Sequence, residues 1–159
     1  MTVHIRFAAP ADVPLITQLI RDLSIYEKLE REFAATDEKV DEALFGKRPY
    51  AETLIAEYDG EPAGFALFFH NFSTFLAQPG LYLEDLFVKP EHRSHGIGRA
   101  LLERLAQIAV ERGCGRMEWA VLDWNKDAIR FYERLGAKAN SDWTVYRLSG
   151  ESLRALAGQ

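Results

Sequence analysis

The sequence predicts a mixed α/β (α+β) sheet, and three observations carry that prediction. Short runs suited to strands are interleaved with amphipathic helical patterns. Three of the strands follow one another in mid-chain, so they pair antiparallel. A later strand–helix–strand run makes a crossover, which sets its strands parallel. The resulting order, β-α-α-β-β-β-α-β-α-β, is not that of a plain doubly wound dinucleotide-binding fold.

Val3 to Ala8 alternates and reads as the first strand. Ala9-Pro10-Ala11-Asp12 opens a helix carrying Val13, Ile16, Leu19, Ile20 and Leu23 at helical spacing. A second helix runs from Asp37 to Leu44, ahead of Gly46 and Pro49. Glu52 to Tyr58 and Gly64 to Phe72 are strands joined through the turn signal Asp59-Gly60. Leu81 to Val88 is the next strand, ended by Lys89-Pro90. Ile97 to Arg112 is the clearest helix, with Leu101, Leu102, Leu105, Ile108 and Ala109 on one face and Gly113 as its stop. Met117 to Leu122 is a strand, Asn125 caps a helix that Gly136 ends, Trp143 to Leu148 is a late strand, and Glu151 to Ala157 forms a last helical turn.

Composition narrows the function. At 159 residues, with 48% apolar and 27% charged, the chain predicts one domain over 1–159 with a core of its own. Its longest wholly apolar run, Phe65 to Phe69, is too short to span a bilayer, and no secretory h-region follows Met1. With Cys114 alone no intrachain disulfide forms, and a cytoplasmic location is expected. The formal charge of −5 argues against nucleic acid as a partner. The charge is uneven: residues 27–61 carry a net −6 and residues 89–116 a net +3. Such a division suits a ligand with ends of opposite sign, or an ordinary scatter of solvated charge. His4, His70, His92 and His95 form no metal-ligand pattern with carboxylates, so no metal is expected.

The most informative stretch runs from Val88 to Ala100. A strand ends, a short loop carries Gly96 and Gly98, and a strong helix begins. A helix N-terminus offers backbone N–H groups and a positive dipole end, and glycine lets an anion approach them. Arg93 and Arg99 add cations, which together describe a phosphate cradle. It is not a P-loop, because Arg99-Ala100 follows Gly98 where Lys-Ser/Thr is required.

Arg93-Ser94-His95-Gly96-Ile97-Gly98 resembles the signature of the GNAT superfamily of acyl-CoA-dependent N-acetyltransferases, Arg/Gln-x-x-Gly-x-Gly/Ala. A second block of that superfamily appears as Asn125, Ala128, Phe131-Tyr132 and Gly136. Tyr26-Glu27, Leu81 to Val88, Trp124-Asn125 and Phe131 to Ala137 are similar to the diamine acetyltransferases, the spermidine/spermine and thialysine enzymes. The resemblance covers nearly the whole chain. It implies the GNAT fold, with helices on both faces of the sheet, acetyl-CoA as co-substrate, and a homodimer using the late strand near Trp143.

Carried over by this resemblance, Leu86, Phe87 and Val88 offer backbone groups to the pantetheine arm. Arg93, Ser94, His95, Gly96, Ile97, Gly98 and Arg99 hold the pyrophosphate. Asn125, Lys126, Asp127 and Ala128 line the cofactor, and Tyr132 sits by its sulfur. Tyr26, Glu27 and Glu84 meet the amine, with Asp85 as a helper. The sequence departs from the polyamine enzymes at Ile25, where they carry a basic residue, and at Val145-Tyr146 before Arg147-Leu148, where they carry an acid and a Trp. A diamine, a polyamine or a lysine analogue such as thialysine is therefore equally compatible with the residues. A protein lysine, or a sensor that binds acetyl-CoA without turnover, are the alternatives.

The chemistry sets its own demands. A lysine-like ammonium must lose a proton before it attacks, which costs about 4.6 kcal/mol at pH 7. Clustered carboxylates attract the cation, and Glu84 is the expected proton acceptor, acting through a water, with Glu27 as the anchor. Adjacent strand residues point to opposite faces, so Glu84 and Asp85 share a face only if a bulge intervenes. The Leu86 N–H is a donor for the developing oxyanion, and Tyr132 hydrogen-bonds the departing thiolate. Cys114 lies between two glycines with no His at a suggestive spacing, so transfer is expected to be direct, without an acyl-enzyme.

Overall fold

The computed structural model describes residues 2–159. The chain divides into two compact units, one ending at Ala120 and the other running from Val121 to Gln159.

The first unit is a five-stranded sheet with three α-helices. In chain order these are β1 (Val3–Phe7), α1 (Val13–Tyr26), α2 (Asp37–Phe45), β2 (Glu52–Tyr58), β3 (Glu61–Ser73), β4 (Gln78–Val88), α3 (Ile97–Glu111) and β5 (Met117–Trp119). The strands lie in the order β1-β2-β3-β4-β5, antiparallel up to β4, and β5 joins β4 parallel. The β2–β3 turn places Asp59 and Gly60 at φ +50° and +83°, the two left-handed positions that an Asp-Gly hairpin supplies.

Each face of the sheet is sealed by the helix whose apolar spacing fits it. Val13, Ile16, Leu19 and Leu23 of α1 and Val40 and Leu44 of α2 form one core with Ile55, Phe65 and Phe87. The intervening strand residues, Leu54, Ala56, Ala66 and Phe68, are wholly buried on the other face, where α3 packs across β1 to β4. Leu101, Leu105 and Ile108 of α3 are buried there, each stabilising the fold by about 1.5–3 kcal/mol.

One irregularity in this sheet matters for function. Leu67 of β3 pairs with Asp85, but the next residue, Phe68, pairs with Leu83. Glu84 is therefore the extra residue of a β-bulge. The β5 ladder also stops here, because its last pair is Leu83 with Trp119. The strand expected over Met117 to Leu122 is accordingly only three residues long, and the β5 side of β4 lies outside that ladder from Glu84 onward.

The second unit contains α4 (Lys126–Arg134) and α5 (Gly150–Leu156). The strand expected over Trp143 to Leu148 does not form: residues 143–149 have no regular structure, and Trp143 and Tyr146 are 77% and 94% exposed. A strand exists only against a neighbour that shares its hydrogen bonds, and no strand lies among the residues of this unit.

Candidate functional site

The bulge places an acid pair. Residues opposite one another in an antiparallel ladder share a face, so Asp85 lies on the side of Leu67, which packs against the α1–α2 core. Tyr82 faces Phe69 on that same side, their ring centroids 5.2 Å apart. Counting two residues on from Tyr82, Glu84 shares the face. Without the bulge Glu84 would pair with Phe68 and point into the α3 core. With it, Glu84 and Asp85 both stand on the α1 side.

The C-terminus of α1 meets them with a third carboxylate. Tyr26 is the last residue of α1 and Glu27 its C-cap. Burial pushes the Asp85 carboxyl up to about 7, with the Glu84 and then the Glu27 charge adding to the effect. Burial, followed by Glu84, also raises Glu27. Tyr82 is raised by burial and by Glu84 and Glu118. Three mutually repelling carboxylates at the carbonyl end of a helix make a negative cluster whose repulsion a cation would relieve.

Arg93 borders this cluster. Its guanidinium lies 4.8 Å from the Tyr26 ring centroid and 5.6 Å from that of Phe87, and its Nε donates to the Val88 carbonyl at 2.9 Å. The Tyr26 and Phe87 rings are themselves 6.2 Å apart. Arg93 thus ties the end of β4 to the end of α1, a packing role beyond the charge for which its sequence position suggested it.

The loop into α3 has the shape an anion needs. Ser94 and Gly96 adopt φ +68° and +77°, and Gly96 is the N-cap of α3 with no side chain capping the helix. Nothing lies within 4 Å of where a Gly96 Cβ would stand, so the backbone there is open to a ligand. These features fit the pyrophosphate of a nucleotide such as CoA. Ile97 is buried, which leaves its backbone as the group available to a ligand, and the Arg99 Nε contacts Glu103 at 2.7 Å on the surface. Tyr58 holds the loop from β2, its ring 4.7 Å from His95 and 5.7 Å from His92, and the His95 Nδ1 lies 3.1 Å from the His92 carbonyl. Sequence reading did not single out Tyr58, because a strand tyrosine far along the chain carries no signal of this contact.

In the second unit Asn125 caps α4 by accepting from the Ala128 N–H at 3.3 Å, as its sequence position predicts. Lys126, Asp127 and Ala128 form the first turn of α4, and Asp127 pairs with Arg130. Tyr132 lies two turns into the helix, half-buried beside the Phe131 ring.

Cys114 has a histidine neighbour that its sequence context does not reveal. The His70 Nδ1 is 3.7 Å from the Cys114 Sγ, but it is also 3.0 Å from the Gly80 carbonyl. The Arg112 Nη1 is 2.9 Å from the His70 Nε2, and a guanidinium can only donate. The imidazole proton therefore sits on Nδ1, and His70 cannot accept one from the thiol. Arg112 is held in turn by a two-pronged pair with Glu52 at 2.6 and 3.0 Å. A cavity of about 510 Å³ near Glu52 is lined by Phe45, Tyr50, Thr53, Phe69 and His70, and it contains none of the predicted site residues.

Among the described residues no group of three or more His, Cys, Asp and Glu side chains is placed to hold a metal ion. Among the same residues no helix is long and apolar enough to cross a membrane.

Comparison with known proteins agrees with this arrangement. The model of the acetyltransferase (GNAT) family matches residues 22–137. The thialysine N-ε-acetyltransferase of Bos taurus is 38% identical, over 99% of this chain and 98% of that protein. The L-ornithine N5-acetyltransferase NATA1 of Arabidopsis thaliana is 33% identical, over 96% of this chain and 87% of its own length. Among solved structures, an integron cassette protein from the mobile metagenome of V. cholerae superposes with a TM-score of 0.84 at 26% identity, covering 100% of this chain and 99% of that one. With its sheet order, its open helix N-terminus and near-full-length likeness to two N-acetyltransferases all in agreement, the chain belongs to the acetyltransferase (GNAT) family and is an acetyltransferase enzyme.

Proposed function

We propose that the protein moves acetyl from acetyl-CoA to a primary amine of a small cationic substrate, a diamine, a polyamine or a lysine analogue such as thialysine. The observation that carries this reading is the trio Glu27, Glu84 and Asp85 on one face of the sheet. Carboxylates that repel one another, with Asp85 and Glu27 partly withdrawn from water, gain most from a cation, so the trio favours an ammonium over a neutral acceptor. Relatives named for thialysine and ornithine acetylation support the same class.

The chain's own groups divide the work. Backbone N–H groups from Ser94 to Arg99 hold the pyrophosphate of the bound co-substrate. The edge of β4 from Leu86 to Val88, outside the β5 ladder, offers backbone partners to its pantetheine arm. The trio binds the ammonium, and one of its members takes the proton. Tyr132 donates a hydrogen bond to the departing sulfur. Bound acetyl-CoA supplies an activated acetyl group, and transfer goes straight to the amine. His70, with its proton on Nδ1 and Arg112 on Nε2, is not a base for Cys114, which supports a route without an acyl-enzyme. The active form is a cytoplasmic homodimer in this reading.

Free-thiol release from acetyl-CoA tests the reading, across thialysine, ornithine, lysine, diamines, polyamines and a lysine peptide. Turnover is expected with a small amine, with a rise of tenfold or more in amine KM for Glu27→Gln. Turnover confined to the lysine peptide would refute the small-substrate reading. Binding of acetyl-CoA without turnover of any amine would refute amine acetylation.

A further inference from the structure

We propose that Asp85, rather than Glu84, takes the proton from the substrate ammonium, while Glu84 and Glu27 hold the cation in place. The inference rests on the amine-acetylating function above and assigns a role within that site.

The bulge gives the two adjacent acids different surroundings. Asp85 sits in register with Leu67 and two residues before Phe87, both part of the α1–α2 core, and is half-buried. Glu84 is the unpaired residue of the bulge and is exposed. An acceptor must bind a proton tightly enough to compete with an amine, and only a desolvated carboxylate does so. Asp85 at about 7 holds a proton about 500-fold more tightly than an ordinary glutamate of about 4.3. Glu84 suits the opposite task of attracting a cation from water.

The charged and titratable groups around Asp85 support this division. Glu84 and Tyr82 stand on its own strand, Glu27 and Tyr26 on α1, and Arg93 lies over Tyr26 and Phe87. From β3 it faces Leu67, Phe65 and Phe69, and the buried face of α2 presents Val40 and Leu44. Its electrostatic partners are thus two carboxylates, and both hold its proton affinity up.

The step balances. One N–H bond of the ammonium breaks and its proton joins an Asp85 oxygen, leaving the nitrogen lone pair free. The lone pair forms the C–N bond to the acetyl carbonyl carbon as the C–S bond breaks. The second proton lost by nitrogen goes to the departing sulfur, and the Asp85 proton returns to solvent.

The test is the pH dependence of kcat/KM for an accepted amine at saturating acetyl-CoA. The wild type is expected to rise to about pH 7 and then stay level up to the amine's own pKa, because acceptor carboxylate and ammonium are both present across that range. Asp85→Asn is expected to lose at least 100-fold at pH 7.5. Its residual rate should climb about tenfold per pH unit with no plateau, since it depends on amine already deprotonated in solution. Glu84→Gln is expected to raise amine KM, keep kcat within about fivefold and move the acid limb to lower pH, as one repelling charge is gone. Loss of the limb in Glu84→Gln with its retention in Asp85→Asn would overturn the proposal.

A measurement on the wild type guards against misfolded variants. Carbon-13 NMR of labelled aspartate should show one carboxyl titrating near 7, and titration of every aspartate in the ordinary range would overturn the assignment. If the wild type acetylates no amine, the functional reading fails first, and the NMR titration still reports on Asp85.

Discussion

Asp85 pays for its proton affinity in stability, and the sign of that cost is fixed. Its carboxyl is near 7 in the folded chain and near 3.8 when unfolded. Between those values the folded state binds more protons, so stability falls as pH rises through that window and then levels off. Asp85→Asn removes the buried charge. It is expected to stabilise the protein by about 1–3 kcal/mol at pH 8, with the gain fading below pH 7 and gone near pH 4. Thermal melts of the two proteins across pH would show it; a gain independent of pH would contradict the shift. The acid pair was legible in the sequence, and so was the condition that only a bulge could align it. The bulge itself was not, because nothing in Leu83-Glu84-Asp85 marks a skipped pairing, which depends on the facing residues Leu67 and Phe68. Arg93 shows the same limit: its charge was visible and its seat on Tyr26 and Phe87 was not.

Among the elements, α3 carries the clearest consequence. Its N-cap, Gly96, is left-handed and has open space around its missing Cβ. Gly96→Ala therefore meets no clash and costs only backbone strain, about 1–2 kcal/mol. Its larger expected effect is on the co-substrate, because a methyl group would stand where the anion approaches. A rise of tenfold or more in the Kd for CoA, measured by calorimetry, with a melting point lowered by only a few degrees, is the predicted pattern. Unchanged CoA affinity would place the pyrophosphate elsewhere. The helices were readable from their periodicity and caps: α3 begins at Ile97 and Asn125 caps α4, as their sequences imply. The strands were readable in kind but less so in extent. β3 runs from Glu61 to Ser73, longer than its apolar run, because the partner β4 extends its ladder.

For the whole molecule, the open question raised by the sequence is its late strand. Trp143, Val145, Tyr146 and Leu148 alternate imperfectly, as a half-buried strand would, yet all four are exposed in the single chain. Isolated apolar side chains on a surface are ordinary, but four within six residues form a patch that a partner would cover. If the homodimer forms through this segment, light scattering should give twice the 18.1 kDa chain mass, and Trp143→Glu with Val145→Glu should return it to the monomer. A monomeric wild type at micromolar concentration would remove the dimer from the proposed function. Sequence could not settle the point, because strand formation is a property of a pair and only one member of the pair is written in a single chain.

The extra residue in β4 also fixes what this chain can survive losing. Deleting Glu84 would close the bulge and leave every pair of the ladder as it stands, Asp85 with Leu67 and Leu83 with Phe68. Leu81 and Leu83, now 0% and 2% exposed, would keep their buried places, and Tyr82 would stay opposite Phe69. The second carboxylate is thus an addition to a ladder that is already complete without it: the odd residue sets Glu84 beside Asp85 and turns neither leucine. Losing that one residue would cost the site a carboxylate before it cost the fold its core, so the site can change there while the sheet stays as it is.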